Sequence, residues 1–321
     1  MTSNSFAAGK ALIASALIVV SCLVALPACA QSSMASPGDC PQVEGVIVEC
    51  VRASATDSRI QRFDGPNYVL VAPQAKASGQ LLLFLSGTGG QPTGGRAFLS
   101  AAAVAGYRVI SLAYNDDLSV AVYCPAKPSA SCSSTFRAMR IWGDQTLGDA
   151  AVDNSAAESI VNRLVRLLQY LDRTHPEAGW GGYLENGVPA WPQIAVAGQS
   201  QGAGMAAFLA KQQLLARVIL FSSPWDFVAR NGQRQLAPWI ALPNRTPPGR
   251  WFGGYHAREN QADLLAKSYA ALKIPQDHIR VFNADLPPGV PLQSGNPFHG
   301  QGLFNQAYAD ARDFFLRTPV R

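Results

Sequence analysis

Charged residues are few in this chain of 321 amino acids. They make up 15% of the sequence, the net charge is +5, and no dense run of lysine or arginine occurs. The sequence therefore lacks the basic footprint of a nucleic-acid-binding protein. Intrinsic disorder is also excluded, because 48% of the residues are hydrophobic and disordered chains combine low hydrophobicity with high charge. At this length the chain could fold as one large α/β domain or as two smaller ones.

Long hydrophobic runs are also absent, except at the N-terminus. There Lys10 precedes an apolar run over residues 11–26, and the tripeptide Ala-Cys-Ala at 28–30 has the small-x-small pattern of a cleavage site. This layout is typical of a secretory signal, and the run is short for a membrane span. We therefore predict a signal peptide at 1–30 and a single exported domain, periplasmic or secreted, at 31–321.

The end of this signal allows a second interpretation. The sequence Leu-Pro-Ala-Cys at 26–29 resembles the bacterial lipobox, which would end the signal at residue 28 and place a lipid on Cys29. The mature chain would then be an outer-membrane lipoprotein. Pro27 is unusual inside a lipobox, so we expect a soluble exported protein, with a membrane as partner only if Cys29 is lipidated.

The cysteines lack the spacing of a metal site. No C-x-x-C pair occurs and the four histidines are not clustered, which argues against zinc. Four of the six cysteines lie beyond the signal, and an even number in an exported protein favours disulfides. Proximity along the chain predicts the pairs Cys40–Cys50 and Cys124–Cys132, with four free thiols as the alternative.

Beyond residue 40, two kinds of apolar segment alternate along the chain. Short runs of β-branched or continuously apolar residues predict strands, and the run LLLFLS at 81–86 is typical of a strand buried on both faces. Longer segments with a helical period lie between several of these runs. The alternation predicts an α/β fold with one doubly wound, mostly parallel sheet of about eight strands flanked by helices. The predicted strands cover residues 45–51, 68–72, 81–86, 107–114, 194–197, 218–222, 251–255 and 279–282, and the predicted helices cover 94–105, 153–171, 203–215 and 261–272.

A G-x-S-x-G motif at 198–202 is centred on Ser200. It follows a predicted strand and precedes an alanine-rich predicted helix. A serine exposed at such a strained turn needs glycines two positions before and after it, because side chains there would clash. The N-terminus of the helix would also direct its positive end towards a developing oxyanion. The alternative is an ordinary strand-to-helix turn in which Ser200 only caps the helix.

In this motif and its setting the sequence resembles the α/β-hydrolase superfamily, in particular secreted bacterial serine esterases and lipase-like enzymes. The resemblance extends over most of residues 65–315. It implies that Ser200 is the nucleophile that attacks an ester carbonyl and carries the acyl group.

A second glycine cluster, Gly-Thr-Gly-Gly at 87–90, follows the predicted strand at 81–86. Relatives in the superfamily often show His-Gly-Gly-Gly here, whereas this chain has Ser86 in place of the histidine. By that match, the backbone N–H groups of Thr88 and Gln201 form the oxyanion hole. Nucleotide-binding motifs do not fit the cluster, because Pro92 stands where G-x-G-x-x-G needs glycine and the P-loop lysine is missing.

Histidine is scarce, which narrows the choice of a general base. The superfamily order of nucleophile, acid and base excludes His175, and His256 and His278 border predicted strands. His299 lies in a loop beyond the last predicted strand, where the base of the triad belongs. It could take the proton of Ser200 and return it to the leaving group. The alternative is a solvated loop histidine.

Three residues are candidates for the carboxylate that would orient the histidine. Glu259 follows the seventh predicted strand, the usual position in the superfamily, and is the preferred candidate. Most relatives carry aspartate there, which keeps Asp226, after the sixth strand, as the alternative acid. Asp285 follows the last strand and is third.

The sequence therefore predicts an exported serine hydrolase that cleaves carboxylic esters through an acyl-enzyme. The expected substrate is a small-molecule or polymeric ester, and no metal, organic cofactor or nucleic-acid partner is implied. The alternatives are an extracellular polyester depolymerase, a peptidase with the same triad, and a non-catalytic envelope binding protein on the hydrolase scaffold. The sequence does not determine the oligomeric state.

Overall fold

The computed structural model describes residues 40–125, 127, 129–144, 154–230, 232–290 and 295–320. The predicted signal peptide and Cys29 lie outside these residues. Within them, no helix combines the length and the hydropathy that crossing a membrane requires.

An eight-stranded sheet forms the centre of the described part of the chain. The described strands are β1 (Ile47–Arg52), β2 (Pro66–Val71), β3 (Leu81–Leu85), β4 (Arg108–Leu112), β5 (Leu184–Glu185), β6 (Val188–Pro189), β7 (Ile194–Gln199), β8 (Arg217–Phe221), β9 (Phe227–Arg230), β10 (Gln233–Leu236), β11 (Trp251–His256) and β12 (Ile279–Phe282). The sheet has the order β1-β2-β4-β3-β7-β8-β11-β12, and β5–β6 and β9–β10 form separate antiparallel pairs. Strand β2 is antiparallel to both of its neighbours, and the other strand pairs of the sheet are parallel. The predicted mostly parallel sheet is confirmed, and each of its strands lies within a few residues of the expected position.

Helices cover both faces of this sheet. The described helices are α1 (Ala53–Thr56), α2 (Arg96–Val104), α3 (Val120–Tyr123), α4 (Cys132–Trp142), α5 (Ile160–Thr174), α6 (Gln201–Gln212), α7 (Ala262–Ala271), α8 (Gln301–Phe304) and α9 (Ala309–Arg317). One buried cluster packs α2, α8 and α9 against one face, and a second packs α4, α5, α6 and α7 against the other. Because both faces are covered, every residue of β3, β7 and β8 is buried. This sheet order, with β2 antiparallel, is that of the α/β-hydrolase fold.

The start of α5 differs from the sequence-based expectation. The helical period predicted a start at Asp153, a residue outside the described part, whereas α5 begins at Ile160. The physical reason is an N-cap, since the Ser159 hydroxyl accepts a hydrogen bond from the Asn162 N–H at 3.1 Å.

Both predicted disulfides are present. Cys40–Cys50 joins the segment before β1 to β1 itself, and Cys124–Cys132 joins the end of α3 to the beginning of α4. The Cα atoms are 5.7 Å apart in each pair, a usual separation for a disulfide. Both bonds close short loops, so the loop-entropy argument assigns each a modest stabilisation.

Candidate active site

Ser200 occupies a sharp turn between β7 and α6. Its backbone has φ 51° and ψ −120°, a strained conformation that a residue with a side chain keeps only where the surrounding structure enforces it. The Ser200 N–H donates to the carbonyl of Phe221 on β8 at 2.8 Å, and its own carbonyl accepts from the Gly204 N–H at 3.1 Å. The helix begins at Gln201, directly after the serine and two residues before the expected Ala203.

The two glycines of the motif have a direct steric cause. A Cβ added to Gly202 would lie 2.0 Å from the carbonyl oxygen of Leu85 on β3. A Cβ added to Gly198 would lie 2.4 Å from the carbonyl carbon of Gly202. Both neighbours are backbone atoms that cannot rotate away. The close approach of α6 to β3 therefore requires glycine at 202, and the close packing of the first turn of α6 on β7 requires it at 198, as the motif predicted.

Three of the sequence-predicted residues form a continuous chain of hydrogen bonds. His299 Nε2 lies 2.7 Å from Ser200 Oγ, and His299 Nδ1 lies 2.7 Å from Glu259 Oε2. The side chain of Glu259 is completely buried, whereas 22% of the His299 side chain stays exposed. A buried carboxylate at this distance fixes the orientation of the imidazole, and the exposed part of the His299 side chain shows that the site reaches the surface.

The second oxygen of Glu259 is held by two donors from neighbouring strand ends. Glu259 Oε1 accepts from the Ser222 hydroxyl at 2.7 Å and from the His256 N–H at 2.8 Å. Burial, and after it the negative charge of Glu259, raises the pKa of both Tyr255 and Tyr269. The carboxylate thus lies in a water-poor region where its hydrogen bonds are strong.

Ser222 was not foreseen by sequence reasoning. It follows β8 directly, and its φ of 57° is in the left-handed region that residues with a side chain rarely adopt. Besides the bond to Glu259, its hydroxyl accepts from the Gly300 N–H at 3.4 Å. One side chain therefore contacts both the acid and the loop that carries His299. The feature of the sequence that could have identified Ser222 is its position at the end of a buried strand.

Two amide side chains next to the histidine were also missed. Gln261 Nε2 lies 3.2 Å from His299 Nδ1, and Gln261 Oε1 accepts from Asn296 Nδ2 at 2.9 Å. Asn296 Oδ1 in turn accepts from the Asn260 N–H at 3.2 Å. The bonds of Asn296 to Gln261 and to Asn260 join the turn after β11 to the loop of His299.

The alternative acid Asp226 does not contact His299 in the structure. Its carboxylate forms a two-point ion pair with Arg137, with distances of 2.8 and 2.5 Å, and accepts from Trp239 Nε1 at 3.0 Å. Both partners of the pair are buried. The Asp226 carboxylate therefore has a structural role as the partner of Arg137. Asp285 is also remote from this role, because its side chain is 94% exposed and pairs with Arg258.

The remaining histidines bond to other partners. His175 Nε2 lies 2.9 Å from Glu49 Oε2. His256 Nε2 lies 2.9 Å from the carbonyl of Ala284, and His278 Nδ1 lies 2.9 Å from the carbonyl of Trp251. Each of these rings is therefore bonded to a strand or turn residue and not to the serine.

The expected oxyanion donors flank the serine on two segments. The loop after β3 passes against Ser200, since a Cβ added to Gly87 would lie 3.1 Å from the serine Cβ. Thr88 is the next residue and is exposed. Gln201 is the first residue of α6, so its N–H has no acceptor within the helix. The Thr88 and Gln201 N–H groups thus belong to the two segments that adjoin the serine; their role in binding an oxyanion stays a prediction.

No family model and no curated protein matches this sequence. Among solved structures, an esterase of the bacterial hormone-sensitive lipase family is 19% identical with a TM-score of 0.44, and 86% of each chain is covered. A bacterial heroin esterase is 16% identical with a TM-score of 0.42, covering 88% of this chain and 86% of its own. A thermophilic esterase from the Planctomycetes species Thermogutta terrifontis is 14% identical with a TM-score of 0.43, covering 86% of this chain and 90% of its own. At these identities the likeness concerns the fold alone.

Proposed function

We propose that the protein is an exported serine hydrolase that cleaves carboxylic esters through an acyl-enzyme. The observation that carries this proposal is the hydrogen-bonded chain from Ser200 through His299 to Glu259. A serine hydroxyl is a weak nucleophile by itself and becomes reactive beside an oriented base. The strained backbone of Ser200 supports the same conclusion, because strain of this kind concentrates at functional sites.

The reaction follows from the roles that these positions allow. Ser200 Oγ attacks the ester carbonyl while His299 Nε2 takes its proton. Glu259 holds the proton on His299 Nδ1 and stabilises the imidazolium that forms. The N–H groups of Thr88 and Gln201 stabilise the negative oxygen of the tetrahedral intermediate.

Collapse of this intermediate breaks the ester bond. The imidazolium of His299 gives its proton to the leaving alcohol, and the acyl group remains on Ser200. Water then attacks the acyl carbonyl, with the same histidine accepting a proton from it. The second tetrahedral intermediate then collapses, the bond between the acyl carbon and Ser200 Oγ breaks, and His299 returns the proton to Ser200 Oγ. The products are an alcohol and a carboxylic acid, and the serine is regenerated.

Export is the second part of the proposal. The N-terminal pattern at 1–30 supports it, and the two disulfides suit an oxidising compartment. Whether the mature chain is periplasmic, secreted or lipidated on Cys29 is decided by mass analysis of the protein recovered from each cell fraction of its producer.

The catalytic proposal is tested with p-nitrophenyl esters of graded acyl length and the chain 31–321. We expect turnover that Ser200→Ala abolishes, while Ser58→Ala, at an exposed serine, leaves it unchanged. A fluorophosphonate probe should label the wild type and not Ser200→Ala. Labelling without ester turnover would support a peptidase or a specialised depolymerase. Absence of both would overturn the enzyme and favour a binding protein on this scaffold.

A further inference from the structure

One residue outside the triad contacts both segments that carry the proposed oxyanion donors. Asp116 lies in the loop after β4 and is 6% exposed. Its Oδ2 accepts from the Ser86 hydroxyl at 2.9 Å, and its carbonyl accepts from the Gly89 N–H at 3.3 Å. Thr88 therefore lies between two residues that are both bonded to Asp116.

The second donor is joined to the same loop through its own side chain. Gln201 Nε2 donates to the carbonyls of Asp116 at 3.4 Å and Leu118 at 2.9 Å. Gln201 Oε1 accepts from the Val120 N–H at 2.9 Å. The loop after β4 thus fixes the first residue of α6, whose N–H is the second proposed oxyanion donor.

The carboxylate of Asp116 is unfavourable for stability, which argues for a functional reason to keep it. Burial raises its pKa to about 6, against the opposing effects of the Ser86 hydrogen bond and of Arg140. A carboxylate whose pKa is raised by burial destabilises a fold, once ionised, more than a neutral side chain would. The backbone of Ser86 is also fixed, because the Tyr114 hydroxyl donates a hydrogen bond to the Ser86 carbonyl at 2.6 Å.

We propose that Asp116 is a positioning residue that holds the Thr88 and Gln201 N–H groups at the spacing an oxyanion requires. This inference rests on the proposed ester hydrolysis. The Asp116–Ser86 hydrogen bond fixes the loop after β3 to the loop after β4. The loop after β4 also holds the side chain of Gln201. Loosening that bond moves one donor relative to the other and weakens binding of the transition state, while ground-state binding of the ester is little affected.

The test compares Asp116→Ala, Ser86→Ala and the double variant. Each single change should lower kcat by about 10- to 100-fold with KM little changed, less than the loss from deleting an oxyanion donor outright. Because both remove the same hydrogen bond, the double variant should match the single ones within about twofold. Asp116→Asn keeps an acceptor for the Ser86 hydroxyl and should restore most of the activity. Asp117→Asn, at the exposed neighbouring carboxylate, is the matched control.

A trifluoromethyl ketone provides the readout that a merely structural role would not change. It forms a tetrahedral oxyanion on the serine, so its inhibition constant should rise by the same factor by which kcat/KM falls. Loss of kcat with an unchanged inhibition constant would overturn the positioning role, as would wild-type kcat in both single variants. If Asp116→Ala fails to fold, Ser86→Ala and Asp116→Asn decide the question. An inactive wild type would instead refute the ester hydrolase itself.

Discussion

His299 Nε2 lies 2.7 Å from Ser200 Oγ although 99 positions separate the two residues. The serine is fixed by the turn between β7 and α6, and the histidine by a loop that follows β12. The parallel sheet aligns the ends of its strands along one edge, so residues that follow different strands meet there. The bond between them therefore depends on the pairing of β7, β8, β11 and β12.

Glu259→Gln should abolish most of the activity without unfolding the protein. The amide would place an N–H donor opposite His299 Nδ1, which favours the tautomer that carries its proton on Nε2 and cannot accept the serine proton. We expect kcat to fall by about 10³- to 10⁴-fold, as for the equivalent change in a serine protease triad. Ester kinetics at constant thermal stability check this, with the exposed Asp285→Asn as control. A loss smaller than about tenfold would contradict the role of Glu259.

Asp226→Asn should lower stability and leave activity nearly unchanged, which is the opposite of the effect of Glu259→Gln. It leaves the buried guanidinium of Arg137 without its charged partner, and removal of one member of a buried ion pair destabilises a protein by about 3–5 kcal/mol. Urea unfolding should show this loss of unfolding free energy, while kcat per active site stays near that of the wild type. The reverse result, a large loss of kcat with normal stability, would reinstate Asp226 as the acid.

Gly202→Ala should damage both stability and catalysis. The new Cβ would lie 2.0 Å from the Leu85 carbonyl oxygen and 2.4 Å from that of Ser86, so β3 and α6 must separate. We expect a loss of unfolding free energy of at least about 2 kcal/mol and a lower kcat, because the Gln201 N–H is displaced. Gly182→Ala is the matched control, since its Cβ would meet nothing within 4 Å. Equal effects of the two changes would refute the steric argument.

Asp116→Asn should alter how stability depends on pH. The folded pKa of Asp116, about 6, exceeds the unfolded value of 3.8, so the folded state binds this proton more tightly. Its contribution to stability is present below the unfolded pKa and is lost as the pH rises through the folded pKa. Asparagine has no such loss, so the stability of the variant relative to the wild type should rise by up to about 3 kcal/mol between about pH 4 and pH 7. Urea titrations across this range measure it; a constant difference would show that Asp116 has an ordinary pKa.

Local sequence signals were sufficient for most of the fold. Strands such as β3 and β7 are continuously apolar because both faces of the sheet are covered, and that pattern is readable without a structure. Helix α4 was missed for a physical reason. Its buried side includes Arg137 and Arg140, and buried arginines interrupt the apolar period by which an amphipathic helix is recognised.

The sequence by itself determined where the serine turn lies and which histidine could reach it. Glycines at fixed offsets and the position of His299 beyond the last strand are local properties of the chain. Only the tertiary structure shows which of the carboxylates contacts the imidazole. Glu259 and Asp226 both follow strands, and what separates them is packing, because one faces the imidazole and the other is paired with Arg137 on a different helix. The contacts of Ser222, Gln261 and Asp116 were hidden for the same reason: each joins residues that are distant in sequence and meet only when the sheet has formed.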